Sequence, residues 1–384
     1  VALFDGGRLN GFRPRWFDLP VLVWCLVPLP SAISAGLGPY AGVSAVVGHV
    51  ITWGVPYVLG RVYFTDRAAL RELAIAVFIG GLIYAPLCLY EVRMSPKLHY
   101  QVYGFVQHQW IQTMRFGGWR PMVFMEHGLA VGMWMAATSV VGLWLWRSKS
   151  LKQLWGVPIG WLACGLVVTA VLCKSSGAWA LMAVGAVLAV FPRPKLTRYA
   201  LVGMLCLPPV YMVGRTTGLI SGEQVTTAAN IVFPGARVAS LQARVDQEDV
   251  LTARASKRLL LGWGPWGDYR GRGLVGATDG LWMIMFGKYG VVGIAAFTAM
   301  LLLPAVVVIR QLGNRRAPPQ PAAVMLAAVV ALYMIDCLMN AMTNPLFVLA
   351  GAGVLGVSGN RIAAPVRIAR IRQDISVDAA SAGP

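Results

Sequence analysis

The sequence predicts an all-α polytopic membrane protein with about ten transmembrane helices and a large helical loop on the outer face. Three observations carry that class. Of 384 residues, 57% are hydrophobic and 12% charged, whereas soluble domains carry about 25% charged residues. Apolar runs of roughly the 20 residues needed to cross a bilayer as a helix recur from Leu19 to Val357. Every second short connection between them is basic, the positive-inside pattern of cytoplasmic loops.

In chain order the runs are Leu19 to Leu37, Ala41 to Gly60, Leu73 to Glu91, Pro121 to Trp146 and Trp155 to Cys173. Then come Ala178 to Phe191, Tyr199 to Val213, Asp279 to Ile309, Ala322 to Met339 and Leu346 to Val357. The two shortest, Ala178 to Phe191 and Leu346 to Val357, also fit re-entrant segments. Asp279 to Ile309 is long and interrupted at Gly287, Gly290 and Pro304, so it reads as one tilted helix or as two pieces. Basic connections follow the second run (Arg61, Arg67, Arg71), the fourth (Arg147, Lys149, Lys152), the sixth (Arg193, Lys195, Arg198) and the eighth (Arg310, Arg315, Arg316). Gly38-Pro39-Tyr40 and Thr343-Asn344-Pro345 carry no charge, as external turns should. This places both termini in the cytoplasm and the long loops 92–120 and 214–278 outside. The chain divides into an N-terminal bundle over 1–213, the loop 214–278, C-terminal helices over 279–358 and a polar, disordered tail over 359–384.

The formal charge of +18 is largely topogenic Lys and Arg and does not imply nucleic acid. The six cysteines lie mostly in apolar runs, where Cys acts as a small hydrophobe, and they form neither a disulfide framework nor a zinc site. No cleavable signal peptide is evident. No Walker motif and no His-Glu-x-x-His is present, so neither nucleotide-driven nor metal-dependent chemistry has support, and no cofactor or metal is expected.

The stretch Arg215 to Gly290 is the one long polar segment. It carries Arg237, Arg244, Arg254, Lys257, Arg258, Arg270 and Arg272. A cationic loop anchored in the membrane at both ends suits an anionic substrate that is itself held in the membrane. On a helix, Arg244, Glu248 and Leu251 share one face, and Arg254 and Arg258 share another. The charges are divided between a solvated, ion-paired helix face and convergence on phosphate, which guanidinium binds bidentately. In the first loop, Pro121 suits the first turn of the next helix. Arg120 then sits at the helix mouth, with Glu126 and His127 about two turns inside, where ionisable groups usually face a cavity. The alternative is an Arg120–Glu126 pair that anchors the helix. His99 and His108 read as interfacial and His49 as a satisfied core histidine. Asp279 opens an apolar helix. It is an N-cap favoured by the helix dipole, a carboxylate that accepts a proton from an attacking hydroxyl, or both.

Three segments resemble the O-antigen ligase and O-antigen polymerase superfamily. They are Ser240-Leu-x-x-Arg244 followed by Leu260-Leu-Gly262-Trp-Gly264-Pro; the polar residue before Trp282-Met-Ile-Met-Phe-Gly-Lys-Tyr-Gly290-Val-Val-Gly293; and Lys174-Ser175-Ser176-Gly177-Ala178. Asp279 stands where the family commonly has His, and Ser176 where it commonly has Arg. Tyr103-Gly-Phe with His108 and Gly118-x-Arg120-Pro looks closer to polymerase-like members of exopolysaccharide clusters. The resemblance implies a metal-independent glycosyltransferase of the bacterial inner membrane, GT-C-like in fold and active on the periplasmic face. Its donor would be an undecaprenyl-diphosphate-linked glycan and its acceptor a saccharide hydroxyl. Other partners would be the lipid bilayer and polysaccharide assembly proteins. The sites implied are Asp279, Glu126 and His127 for catalysis, and Arg115, Arg120, Lys174, Arg244, Arg254, Arg258 and Arg270 for substrate. A transporter or flippase of lipid-linked anionic saccharide is the alternative. It would place basic residues at mid-membrane depth and on both leaflets.

Overall fold

The computed structural model describes residues 12–107, 110–230, 235–267, 269–270, 280–314 and 318–362. Among the described residues, seven helices are long and apolar enough to cross a membrane. Numbered in chain order with the rest, these are α1 (Trp16–Ser34), α2 (Gly38–Tyr63), α3 (Arg67–Met94), α5 (Gly128–Arg147), α8 (Pro194–Thr217), α11 (Leu281–Gly313) and α12 (Pro321–Met339). Three shorter apolar helices complete the bundle: α6 (Ile159–Leu172), α7 (Ser176–Val190) and α13 (Pro345–Ile362). The loops carry α4 (Leu98–Tyr103), α9 (Gly222–Asn230) and α10 (Gly235–Ala255), and two short hairpins, β1–β2 (Met114–Arg115 with Gly118–Trp119) and β3–β4 (Gln153–Leu154 with Val157–Pro158). The protein is an all-α membrane protein.

Local sequence sets the helix ends. Pro194 and Pro321 open α8 and α12, where the missing N–H of proline costs nothing. Asp66 caps α3 by accepting from Ala69 N at 2.9 Å, and Gly218 closes α8 in a left-handed conformation. Helices α5 and α12 occupy the centre, with 83% of their central residues buried against 22% in α2. Small residues permit close helix approach, as usual where lipid supplies no hydrophobic drive between helices. A Cβ on Gly60 would fall on the Leu349 carbonyl of α13, one on Gly142 would lie 2.5 Å from the Phe78 ring of α3, and one on Gly185 would lie 2.6 Å from Val140 of α5.

Contacts gather the connections at two ends. At one end the chain after α1 meets residues 258–264, with Arg258 donating to Ser34 O and Gly264 lying against Leu37. There also Arg120 meets Lys174, and Arg244 meets the end of α12. At the opposite end Arg71 binds Ser150 O, Gly313 faces Arg198, and Arg61 pairs with Asp18 at 2.8 Å. Both long loops therefore lie at the same end, here termed the long-loop end.

Two expectations are corrected. The helix expected from Pro121 starts at Gly128, and residues 120–127 form an irregular segment. Glu126 and His127 are therefore not inside a helix: Glu126 is exposed, and His127 is the N-cap of α5. The physical reason is the backbone pull of a buried carboxylate on Met122 and Val123, described below. The long run after the second loop is broken once, at Gly290 (φ 63°, ψ −161°), while Gly287 and Pro304 remain helical.

The break is closed by the loop itself. Trp263 N and Gly264 N donate to the Gly287 and Lys288 carbonyls at 2.9 and 3.0 Å. Val291 N and Val292 N donate to the Leu259 and Leu260 carbonyls at 2.8 and 3.3 Å. Ser31 Oγ adds bonds to Lys288 O and Leu261 O at 2.8 and 2.5 Å. Irregular backbone near a membrane persists only where such partners exist. The glycines of 262–267 now have a reason: at Gly262, with φ 68°, a Cβ would lie 2.5 Å from the Lys288 carbonyl carbon.

Candidate functional site

The first long loop is held from below by Glu91, in the last turn of α3 and only 1% exposed. Its Oε1 accepts from Leu98 N at 2.9 Å, and its Oε2 accepts from Met122 N and Val123 N at 2.8 Å each. Gln107 Nε2 then donates to the Val123 and Met125 carbonyls at 3.0 Å. Arg120 N donates to Thr113 O at 2.7 Å, which closes the β1–β2 hairpin over this strap.

Three cations expected at a substrate site converge here. Arg115 on β1 pairs in register with Gly118 on β2, and the Lys174 ammonium packs directly against Gly118. Arg120 Nη2 donates to Lys174 O at 2.9 Å, and the Arg120 stem rests on Gly128. Lys174 holds φ at 52°, between α6 and α7, which presents its side chain to the hairpin. The Arg115 Nε is buried and makes no hydrogen bond. Among the described residues, neither Arg115 nor Lys174 makes an ion pair. An orphaned, buried guanidinium N–H beside an unpaired ammonium is costly unless an acceptor arrives.

His127 lies at the edge of this cluster. Its Nδ1 accepts from Leu129 N at 3.0 Å, so its proton sits on Nε2, which faces Gln112 Oε1 at 3.4 Å. In that tautomer the ring donates outward and has no free lone pair for a base. Glu126 makes no ion pair with Arg120 among the described residues.

The second loop forms a separate platform at the same end. Arg244 Nη1 donates to Met339 O at 3.0 Å and Asn340 Oδ1 at 3.3 Å, and Asn340 Nδ2 donates to Asp336 Oδ1 at 2.7 Å. Leu281 N donates to Asn340 O at 3.1 Å, so Gly280 and Arg244 meet at the tip of α12. Asp279, immediately before Gly280, lies outside the described residues, as do His108 and Arg272. Glu248 is buried and accepts from Tyr211 OH at 2.7 Å, Arg215 Nε at 3.2 Å and Trp282 Nε1 at 3.2 Å. Burial pushes the Glu248 carboxyl above its ordinary range, against the opposing pull of Tyr211 and Arg215. Arg215 Nη2 also meets Asp249 at 2.8 Å.

Arg254 and Arg258 do not point jointly at a shared opening. Both guanidinium groups lie over the Trp263 ring, at 4.6 and 5.0 Å from its centroid, a cation–π geometry. Arg270 likewise packs on Tyr269, at 5.4 Å, and donates to its hydroxyl. Arg254 and Arg258 thereby help hold the segment that closes the α11 break.

The structure thus unites Arg115, Arg120 and Lys174, sets Arg244 beside Gly280, and turns Arg254, Arg258 and Arg270 to aromatic packing. Glu91, Arg215 and Asp336 were not singled out from sequence, and Glu248 was named only for the helix face it shares with Arg244 and Leu251. The available signal was an acid inside or at the end of an apolar run for Glu91 and Asp336, and the shared face with Leu251 for Glu248. Fold and site together define an all-helical membrane protein with a cationic cluster at the long-loop end. Among protein families, curated proteins and solved structures, no match to this chain was found.

Proposed function

We propose that this protein is a metal-independent glycosyltransferase of the bacterial inner membrane, with about ten spans and with the long-loop end in the periplasm. It transfers or polymerises glycan from an undecaprenyl diphosphate carrier onto a saccharide hydroxyl. The observation that carries the reading is the convergence of Arg115, Arg120 and Lys174, with the buried Arg115 Nε lacking an acceptor. That arrangement wants phosphate oxygens. The resemblance of Ser240 to Gly293 and of Lys174 to Ala178 to O-antigen ligases and polymerases supports the same substrate.

In the reaction the acceptor oxygen attacks the anomeric carbon, and the bond from that carbon to the diphosphate oxygen breaks. The electron pair leaves on the diphosphate, whose charge the arginines and Lys174 neutralise. The acceptor proton passes to Asp279, with Arg244 beside the helix start that follows it. A flippase would want uncompensated cations at the other end too. The buried cation there, Arg61, is already paired with Asp18.

The test is transfer from purified lipid-linked donor in proteoliposomes. Arg115→Ala and Lys174→Ala should each lose donor binding and transfer at normal protein levels. Asp279→Asn should bind donor yet transfer at least about a hundredfold more slowly, the lower bound for a lost general base. Near wild-type transfer in all three would refute the assignment. Transfer lost only in Arg115→Ala and Lys174→Ala would move the base to Glu126.

A further inference from the structure

The first long loop carries a patch that the cationic cluster does not explain. Val102, Tyr103, Phe105, Val106, Met114 and Phe116 are all large, apolar and exposed, at 59%, 59%, 58%, 43%, 50% and 54%. They occupy α4, the turn after it and the β1–β2 hairpin. A water-facing loop rarely gathers so many, and such a patch marks an interaction surface.

Two features identify the partner. The patch is continuous with a surface already committed to lipid: Ile83, Leu89, Tyr90 and Met94 on α3 are exposed and run along that span directly to the loop. Its composition is also mixed: aliphatic Val102, Val106 and Met114 stand among the aromatic rings, with Tyr100 and Trp110 exposed beside them. Mixed aromatic and aliphatic side chains at the end of a span suit the bilayer interface, where aromatic rings concentrate.

We infer that residues 98–107 and 110–116 form an interfacial paddle immersed in the outer-leaflet boundary of the lipid bilayer. The loop is fixed there by its own packing: Phe116 stacks on Trp179 of α7 at 5.4 Å and 16°, and Tyr103 sits edge-on to Phe124 at 6.0 Å. The paddle carries Arg115 next to Phe116, so the orphaned guanidinium N–H is held at the depth of lipid phosphates. An anionic headgroup would then reach Arg115 and Lys174 laterally from the leaflet, without leaving the membrane. Placing the leaflet as outer rests on the orientation in the proposed function, but immersion itself does not.

The test uses the full chain in phosphatidylethanolamine–phosphatidylglycerol proteoliposomes. A benzophenone amino acid is introduced singly in place of Phe105 or Phe116. Ile83 serves as the lipid-facing control position and Glu223, exposed on α9, as the aqueous one. After irradiation, intact-protein mass spectrometry should show phospholipid adducts at Phe105 and Phe116 within about threefold of the Ile83 yield, and none at Glu223. Absence of lipid adducts at both paddle positions, with Ile83 labelled, would overturn the inference. Adducts there with a second protein chain or with added glycan in place of lipid would do the same. Because the readout needs no transfer reaction, a paddle found in lipid leaves the glycosyltransferase reading to stand or fall on its own assay.

Discussion

Glu91→Gln is a sharp probe of the strap that carries Arg120. The carboxylate satisfies three backbone N–H groups, the part-buried Leu98 N on Oε1 and the buried Met122 N and Val123 N on Oε2. An amide keeps one oxygen and replaces the other with a donor. The better orientation keeps oxygen towards Met122 and Val123 and turns the –NH2 on Leu98 N, leaving one orphaned N–H at about 1–3 kcal/mol. The other orientation orphans two and costs about twice that. Gln fills nearly the same volume, so packing around α3 is preserved. The expected result is a protein that inserts normally but exchanges backbone hydrogens faster at residues 95–103 than at 121–125. Because the Met122 N and Val123 N bonds are kept, Arg120 stays in place and affinity for the proposed donor should change little. Hydrogen exchange with mass spectrometry reads both segments in one sample. Unchanged protection at Leu98 would refute the reasoning, and faster exchange confined to 121–125 would reverse the predicted amide orientation.

Further expectations concern the second loop. Gly290→Ala places a side chain at φ 63° and onto the Leu260 carbonyl, a backbone cost of about 1–3 kcal/mol before the clash is counted; a lower melting midpoint in detergent checks it. Arg215→Met leaves Glu248 buried without its cation and should cost about 3–5 kcal/mol, whereas Arg254→Gln should cost far less; equal thermal shifts would count against the buried pair. Glu248, pushed above its ordinary value of 4.5, binds its proton more tightly in the folded state. That contribution is complete below the unfolded value and is lost as pH rises through the folded one. Intrinsic-rate-corrected exchange protection at 241–255 should therefore rise from pH 7.5 to pH 5, and Glu248→Gln should flatten the trend.

How much was legible in the sequence differs by element. Helices such as α12 were placed within a residue because apolar length and an N-terminal proline are local signals. The start of α5 was misplaced because Pro121 is a valid local signal that a distant carboxylate, Glu91, overrides by binding Met122 N and Val123 N. The convergence of Arg115 with Lys174 depends on a glycine, Gly118, that leaves room for an ammonium from another helix, and spacing alone cannot reveal that. Arg254 and Arg258 were correctly put on one face, but sequence does not say that the face is occupied by Trp263. The charges of this loop helix read in part as an ion-paired, solvated face, yet in the folded chain Glu248, buried, and Asp249, exposed, both reach Arg215 on the preceding span, a partner distant in sequence.

The interruption at Gly290 has a consequence for how this protein is made. An uninterrupted apolar helix can partition into lipid as soon as it leaves the ribosome, since its backbone is satisfied internally. Helix α11 cannot: the carbonyl of Gly287 and the N–H groups of Val291 and Val292 pair with residues 259–263, and the Lys288 carbonyl with Gly264 N and Ser31 Oγ. Residues 259–264 are synthesised just ahead of it and must already be folded back when α11 arrives. Biogenesis of the C-terminal half is therefore gated by a segment that is not itself a span, and a truncation that removes that segment should strand α11 at the translocon.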